Sequence, residues 1–202
     1  MSAGDPPRGN GHSGGGSGDA PPSGDHTRPK RSTPARSPVS GLTIDIVREA
    51  GDWDGGTAEI VRRAAEHAYV VAGDTEGAEL CVVLGDDKLV QALNRTYRGK
   101  DAPTNVLSFP SMEMPGMAGG EPLLPEESAL LGDVVLARET IAREAVEQHK
   151  SLSDHLTHLV VHGVLHLLGH DHMEDEEAEE MEALERDILE DLGIADPYAS
   201  QH

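Results

Sequence analysis

Residues 162–172 read His162-Gly163-Val164-Leu165-His166-Leu167-Leu168-Gly169-His170-Asp171-His172, and no other stretch limits the fold so tightly. On a helix, His162 and His166 lie one turn apart on one face and can reach one metal ion. Val164, Leu165, Leu167 and Leu168 cover the other sides, so this helix is expected to be buried. Gly169 can take the left-handed conformation that ends a helix. The chain can then turn back and bring His172 to the same ion. Three histidines leave a position for water, the pattern of a catalytic rather than a closed structural site. Seven of the 11 histidines fall between His149 and His172. His155 and His158 lie further back on the row of His162 and read as supporting or surface positions, while His170, between ligands, is expected to point away.

The spacing is that of the extended zinc-protease signature, His-Glu-x-x-His-x-x-Gly-x-x-His, with one element missing. Gly163 stands where a peptidase of that type carries its general-base glutamate. The pattern therefore supports metal-assisted hydrolysis and disfavours a protease, leaving a metallopeptidase or other metallohydrolase as an alternative.

Elements that could carry this helix are legible by periodicity. Leu42–Val47, Ala78–Leu84, Asn105–Phe109 and Gly132–Leu136 read as strands. Residues 57–72, about 87–97, 137–149, 153–168 and 173–192 read as helices, with Asp86 or Asp87 as a cap. This predicts one α+β domain over 42–196, with helices packed on a small sheet. A loop rich in Met, Gly and Pro is expected over 110–130. The Gly/Pro/Ser-rich residues 1–41 buy too little apolar burial to order and are expected to be a disordered tail, in which Lys30, Arg31 and Arg36 can touch an anionic partner. Residues 197–202 are read as a short C-terminal tail.

The net charge of −21 argues against generic polyanion binding. It is unevenly spread, with +2 in residues 1–41, −12 in 42–172 and −11 in 173–202. In 174–191 acids fill most exposed positions around Met181, Leu184, Ile188 and Leu189, as on a solvated amphipathic helix. Cys81 alone allows no internal disulfide, which fits a reducing compartment. No stretch approaches the ~18 apolar residues of a membrane span, and no signal peptide is evident, so a cytoplasmic location is expected.

Two further segments join the histidine motif: Leu93-Asn94-Arg95-Thr96-Tyr97-Arg98-Gly99-Lys100-Asp101-Ala102-Pro103-Thr104-Asn105-Val106-Leu107-Ser108-Phe109-Pro110, and Leu131-Gly132-Asp133-Val134-Val135. Together, in this order and spacing, they resemble the YbeY family of bacterial metal-dependent endoribonucleases and rRNA maturation factors over residues 42–195. Asn105 lies where the family usually has Asp, and His170 where it usually has Tyr. The resemblance implies a mixed four-stranded sheet flanked by about five helices, with a zincin-like metal-binding helix and one zinc ion. It also implies single-strand-specific RNA cleavage, maturation of the 3′ end of 16S rRNA, and ribosome quality control with the small ribosomal subunit as partner.

Phosphodiester cleavage builds negative charge that a fixed cation must meet. Arg98, which matches the family's functionally important arginine, is the candidate, because guanidinium grips phosphate through paired hydrogen bonds. Lys100 can add charge. Asp171 can orient a histidine or simply form a turn, and Asp133 is another candidate carboxylate behind the site. No general base is evident, and RNA's own 2′-hydroxyl can serve as nucleophile. A non-catalytic ribosome-assembly factor with a structural metal is the remaining alternative.

Overall fold

The computed structural model describes residues 41–72, 77–111, 129–172 and 174–199. Apart from Gly41, the expected N-terminal tail with Lys30, Arg31 and Arg36 lies outside these residues, as does most of the 110–130 loop. Four strands form one sheet: β1 (Leu42–Arg48), β2 (Ala78–Gly85), β3 (Val106–Pro110) and β4 (Ala129–Ala137). Their order is β1-β2-β4-β3, parallel except for β3, which runs antiparallel to β4. Among the described residues the helices are α1 (Thr57–Val71), α2 (Asp87–Leu93), α3 (Arg138–Glu147), α4 (Leu152–Leu167) and α5 (Asp175–Asp191). The α+β class and the mixed four-stranded sheet are as expected.

Strand alternation sorts the apolar side chains onto two faces. Leu80, Val82, Leu84, Val134 and Leu136 join the larger core, with Val61, Ala64 and Ala68 of α1 and Val160, Val161, Val164 and Leu165 of α4. Val135, Leu107, Phe109 and Ala137 point the other way and pack with Val90 of α2. Helix α4 buries most of its surface, as its nearly continuous apolar sequence predicts. Its start is capped by Ser151, whose hydroxyl accepts the Asp154 amide at 3.0 Å.

Helix α2 ends earlier than its periodicity predicts. Asp86 caps it, accepting the Leu89 amide at 2.8 Å. Asp87 instead accepts the Thr140 amide at the start of α3. After Leu93 the chain widens into a π-helical turn, Asn94–Arg98. Asn94, which opens it, is buried and donates its side-chain amide to the Ala102 carbonyl at 2.8 Å. Its own carbonyl accepts from the Gly99 and Lys100 amides. Such turns re-aim the residues that follow, here Arg98.

Gly163 sets how closely α4 approaches the sheet. A Cβ there would stand 2.9 Å from Val134 Cγ1 and 3.2 Å from Ser108 Oγ. The Ser108 hydroxyl donates to the Gly163 carbonyl at 3.2 Å. The position that a zinc peptidase gives to glutamate is therefore a packing contact in this chain. Gly163→Ala is expected to lower stability by about 1–3 kcal/mol, the cost of overpacking a filled core. A urea melt checks this, and an unchanged midpoint would show that the contact is slack.

Candidate metal centre

The end of α4 is built by a glycine-dependent turn. The Gly169 amide donates to the His166 carbonyl at 3.1 Å and the His170 amide to the Leu165 carbonyl at 3.0 Å. Gly169 has φ +92°, which a side chain would oppose. This pair of hydrogen bonds reverses the chain and satisfies the last carbonyls of the helix. The reversal carries His172 back over His166, with ring centroids 5.0 Å apart.

His162, His166 and His172 thus each offer a ring nitrogen, and these atoms lie within 4.8 Å of one another. His162 Nε2 and His166 Nε2 are 3.0 Å apart. The imidazoles of His162 and His166 are each held from behind by an acceptor. Glu185 Oε1 lies 2.7 Å from His162 Nδ1, and the His170 carbonyl lies 3.0 Å from His166 Nδ1. A carboxylate and a carbonyl can only accept, so both Nδ1 atoms carry hydrogen and both Nε2 atoms present lone pairs. Two lone pairs facing at 3.0 Å need a shared proton or a cation between them. Burial, then the charges of His162 and His172, lower the pKa of His166, which disfavours the proton. The donor set fits a divalent ion of the zinc type, whose nitrogen ligands sit about 3.3 Å apart at ordinary bond lengths.

Glu185 was hidden in the sequence among acids assigned to a solvated face. It is fully buried, and it also accepts from His158 Nε2 at 3.3 Å and from the Tyr198 hydroxyl in a short hydrogen bond. Burial, the largest influence, pushes its carboxyl up. The hydrogen bonds from His158 and His162, the charge of His162 and the Tyr198 hydroxyl outweigh that and hold it at about 2. Burial and Glu185 in turn push the Tyr198 hydroxyl up, so it remains a donor. One sequence signal was available: Glu185 lies on the same stripe of α5 as Met181 and Ile188, which are buried. Tyr198, read as part of a tail, is packed against the domain.

The other predicted site residues divide. Arg98 and Lys100 line one cavity of about 690 Å³ together with His162, His166 and His172. Arg98 Nη2 donates to the Ser108 carbonyl at 3.1 Å, and its guanidinium stands 5.9 Å from the centre of the Phe109 ring. Arg95, three residues before Arg98, pairs with Asp101 at 4.0 Å. Asp171 lines the cavity but is a turn former: its Oδ1 accepts the His172 amide at 2.7 Å. Asp133 is not brought to the cluster. It pairs in register with Cys81 and Phe109, one position from Val134, and so faces away from α4. There burial and its carboxylate push the Cys81 thiol up to about 12, which keeps that thiol inert. His170 contributes its carbonyl rather than its ring.

His155, expected to be supporting or superficial, is buried, and its Nε2 lies 2.8 Å from Glu144 Oε2. The same oxygen accepts the Asn105 side-chain amide at 2.9 Å. This explains an amide at position 105, since a carboxylate there would face another carboxylate.

Two outcomes follow from these contacts. Glu185→Gln should weaken zinc binding about 10- to 100-fold, the usual consequence of losing the carboxylate behind a histidine ligand. Competition with a chromophoric chelator measures it, and unchanged affinity would remove Glu185 from the account. Asn105→Asp should cost about 1–3 kcal/mol at pH 8 by setting like charges together. The loss should shrink in acid, where the pair takes up a proton, and Glu144→Gln should relieve it. Denaturant melts across pH check both parts.

Known proteins resemble this chain over most of its length. A family model described as "Endoribonuclease YbeY" matches residues 49–193. A relative of that name from Parvibaculum lavamentivorans is 68% identical over 173 residues, covering 86% of this chain and 94% of its own. One from Paramagnetospirillum magneticum is 61% identical over 164 residues, covering 79% and 96%. Another, from Azorhizobium caulinodans, is 50% identical over 162 residues, covering 78% and 97%. Matched through the helix that carries the histidines and the turn that follows it, the chain belongs to the YbeY endoribonuclease family.

Proposed function

We propose that this chain is a zinc-dependent, single-strand-specific endoribonuclease. We further propose that it acts in the cytoplasm on the small ribosomal subunit, in maturation of the 3′ end of 16S rRNA and in ribosome quality control. Family membership and the relatives' printed name support RNA as substrate. The observation that carries the reading is the sharing of one cavity by three imidazoles and two cations, Arg98 and Lys100.

Bound by the imidazoles, zinc would supply Lewis acidity toward a phosphate oxygen. Arg98 meets the charge that develops on that phosphate. One of its N–H groups is fixed on the Ser108 carbonyl, and among the described residues no acceptor takes the rest. The guanidinium is thus aimed while its remaining donors are available for paired bonds to phosphate oxygens. Lys100 adds a second, exposed positive charge. Among the described residues Asp171 is the only carboxylate lining this cavity, and one of its oxygens is engaged in the turn. Gly163, standing where a zinc peptidase carries the glutamate that activates water, supports the substrate's 2′-hydroxyl as nucleophile. The packed position of Gly163 disfavours peptidase chemistry.

Short single-stranded RNA and casein, each with and without chelator, provide the test. RNA cleavage should stop with chelator, and casein should remain intact. Arg98→Ala should lower kcat about 100-fold, the usual loss when one donor to a developing anion is removed, with zinc content unchanged. A 2′-deoxy sugar at the scissile position should abolish cleavage. Casein cleavage would point to a peptidase, and undiminished cleavage of the 2′-deoxy substrate would overturn the nucleophile.

A further inference from the structure

A second cavity, of about 470 Å³, lies alongside the first, and Asn105, Val106 and His162 line both. Its own walls include Gln148, Lys150, His155, His158 and Tyr198. We infer that this cavity seats one nucleobase of the RNA strand, specifically a base with a carbonyl oxygen, next to the phosphate held at Arg98. The inference rests on the endoribonuclease reading.

Charge decides which part of a nucleotide fits. Glu144 and Glu185 stand directly behind His155 and His158, at 2.8 and 3.3 Å. These two carboxylates outweigh the single charge of Lys150 on the cavity wall, so the cavity lacks the net positive field that draws a phosphate. On the far side of His162, Arg98 and Lys100 attract the phosphate. The divide at His162 therefore separates a place for backbone from a place for a base.

The walls suit a base in shape and in hydrogen bonding. The rings of His158 and Tyr198 meet edge to face with centroids 5.8 Å apart, giving flat surfaces of the kind that hold unstacked bases. Lys150 Nζ donates to Gln148 Oε1 at 3.0 Å and to the Pro197 carbonyl at 3.3 Å. An ammonium has three N–H groups, and among the described residues the third has no acceptor. A uracil, cytosine or guanine oxygen can take it. Adenine carries a donor, N6–H₂, where guanine carries that oxygen, and offers only ring nitrogens as acceptors.

Steady-state cleavage of short RNAs tests this. Each of the two nucleotides flanking the scissile phosphate is in turn uridine, adenosine or abasic. At one flank, adenosine or an abasic site should raise KM about tenfold over uridine, the scale of one lost hydrogen bond, with kcat little changed. In Lys150→Ala adenosine and uridine should converge while the abasic substrate, which also lacks the ring contacts, stays weaker, and Lys150→Arg should restore the preference for uridine. Indifference to the base at both flanks in the wild type would overturn the inference, as would a preference for uridine over adenosine that survives Lys150→Ala. A wild type with no chelator-sensitive cleavage at all would overturn the endoribonuclease reading itself, and this inference with it.

Discussion

Two acceptors behind two imidazoles, the buried Glu185 carboxylate and the His170 carbonyl, set the state of the centre. They fix which nitrogen of His162 and of His166 carries hydrogen, and so leave both lone pairs facing one point. Each acceptor depends on a different part of the fold. The first needs α5 to lay Met181, Glu185 and Ile188 against the body of the protein. The second needs the turn at Gly169. Both also need α4 held in place, and Gly163 fixes its distance from the sheet. The same small residue that brings helix and sheet together excludes a glutamate from the centre, so packing and chemistry are decided at one position.

Net charge alone misdescribes how an acidic protein of this kind meets RNA. The acids of the C-terminal stretch are mostly exposed on α5, away from the lining of the metal cavity. Glu185 is an exception, spent on histidines and a tyrosine. The cations that face the cavity are few but aimed. With little long-range attraction to a polyanion, recognition falls to local contacts: a fixed guanidinium and three imidazoles that could hold a metal ion.

Much of this was legible in the sequence because its signals are local. The strands and helices followed hydrophobic period, and His162, His166, Gly169 and His172 lie within one turn-and-reversal. What the sequence obscured depends on contacts across the chain. Glu185 sits 23 residues from its partner His162 and was lost among neighbouring acids, although its place on an apolar stripe marked it. Tyr198 looked like tail until its partner was known. Asp133 looked suitable by type, yet strand alternation turns it to the wrong face. The π-helical turn that ends at Arg98 opens on a buried asparagine bonded eight residues ahead, which no periodicity reveals.

Elemental analysis of purified protein, paired with RNA cleavage on the same preparations, tests the three-imidazole centre most directly. The wild type, His162→Ala, His166→Ala and His172→Ala should be compared by both measurements. About one zinc ion per chain is predicted for the wild type, with metal and cleavage lost together in each variant. Cleavage that persists in metal-free variants, or a wild type that takes up no divalent metal, would contradict the account.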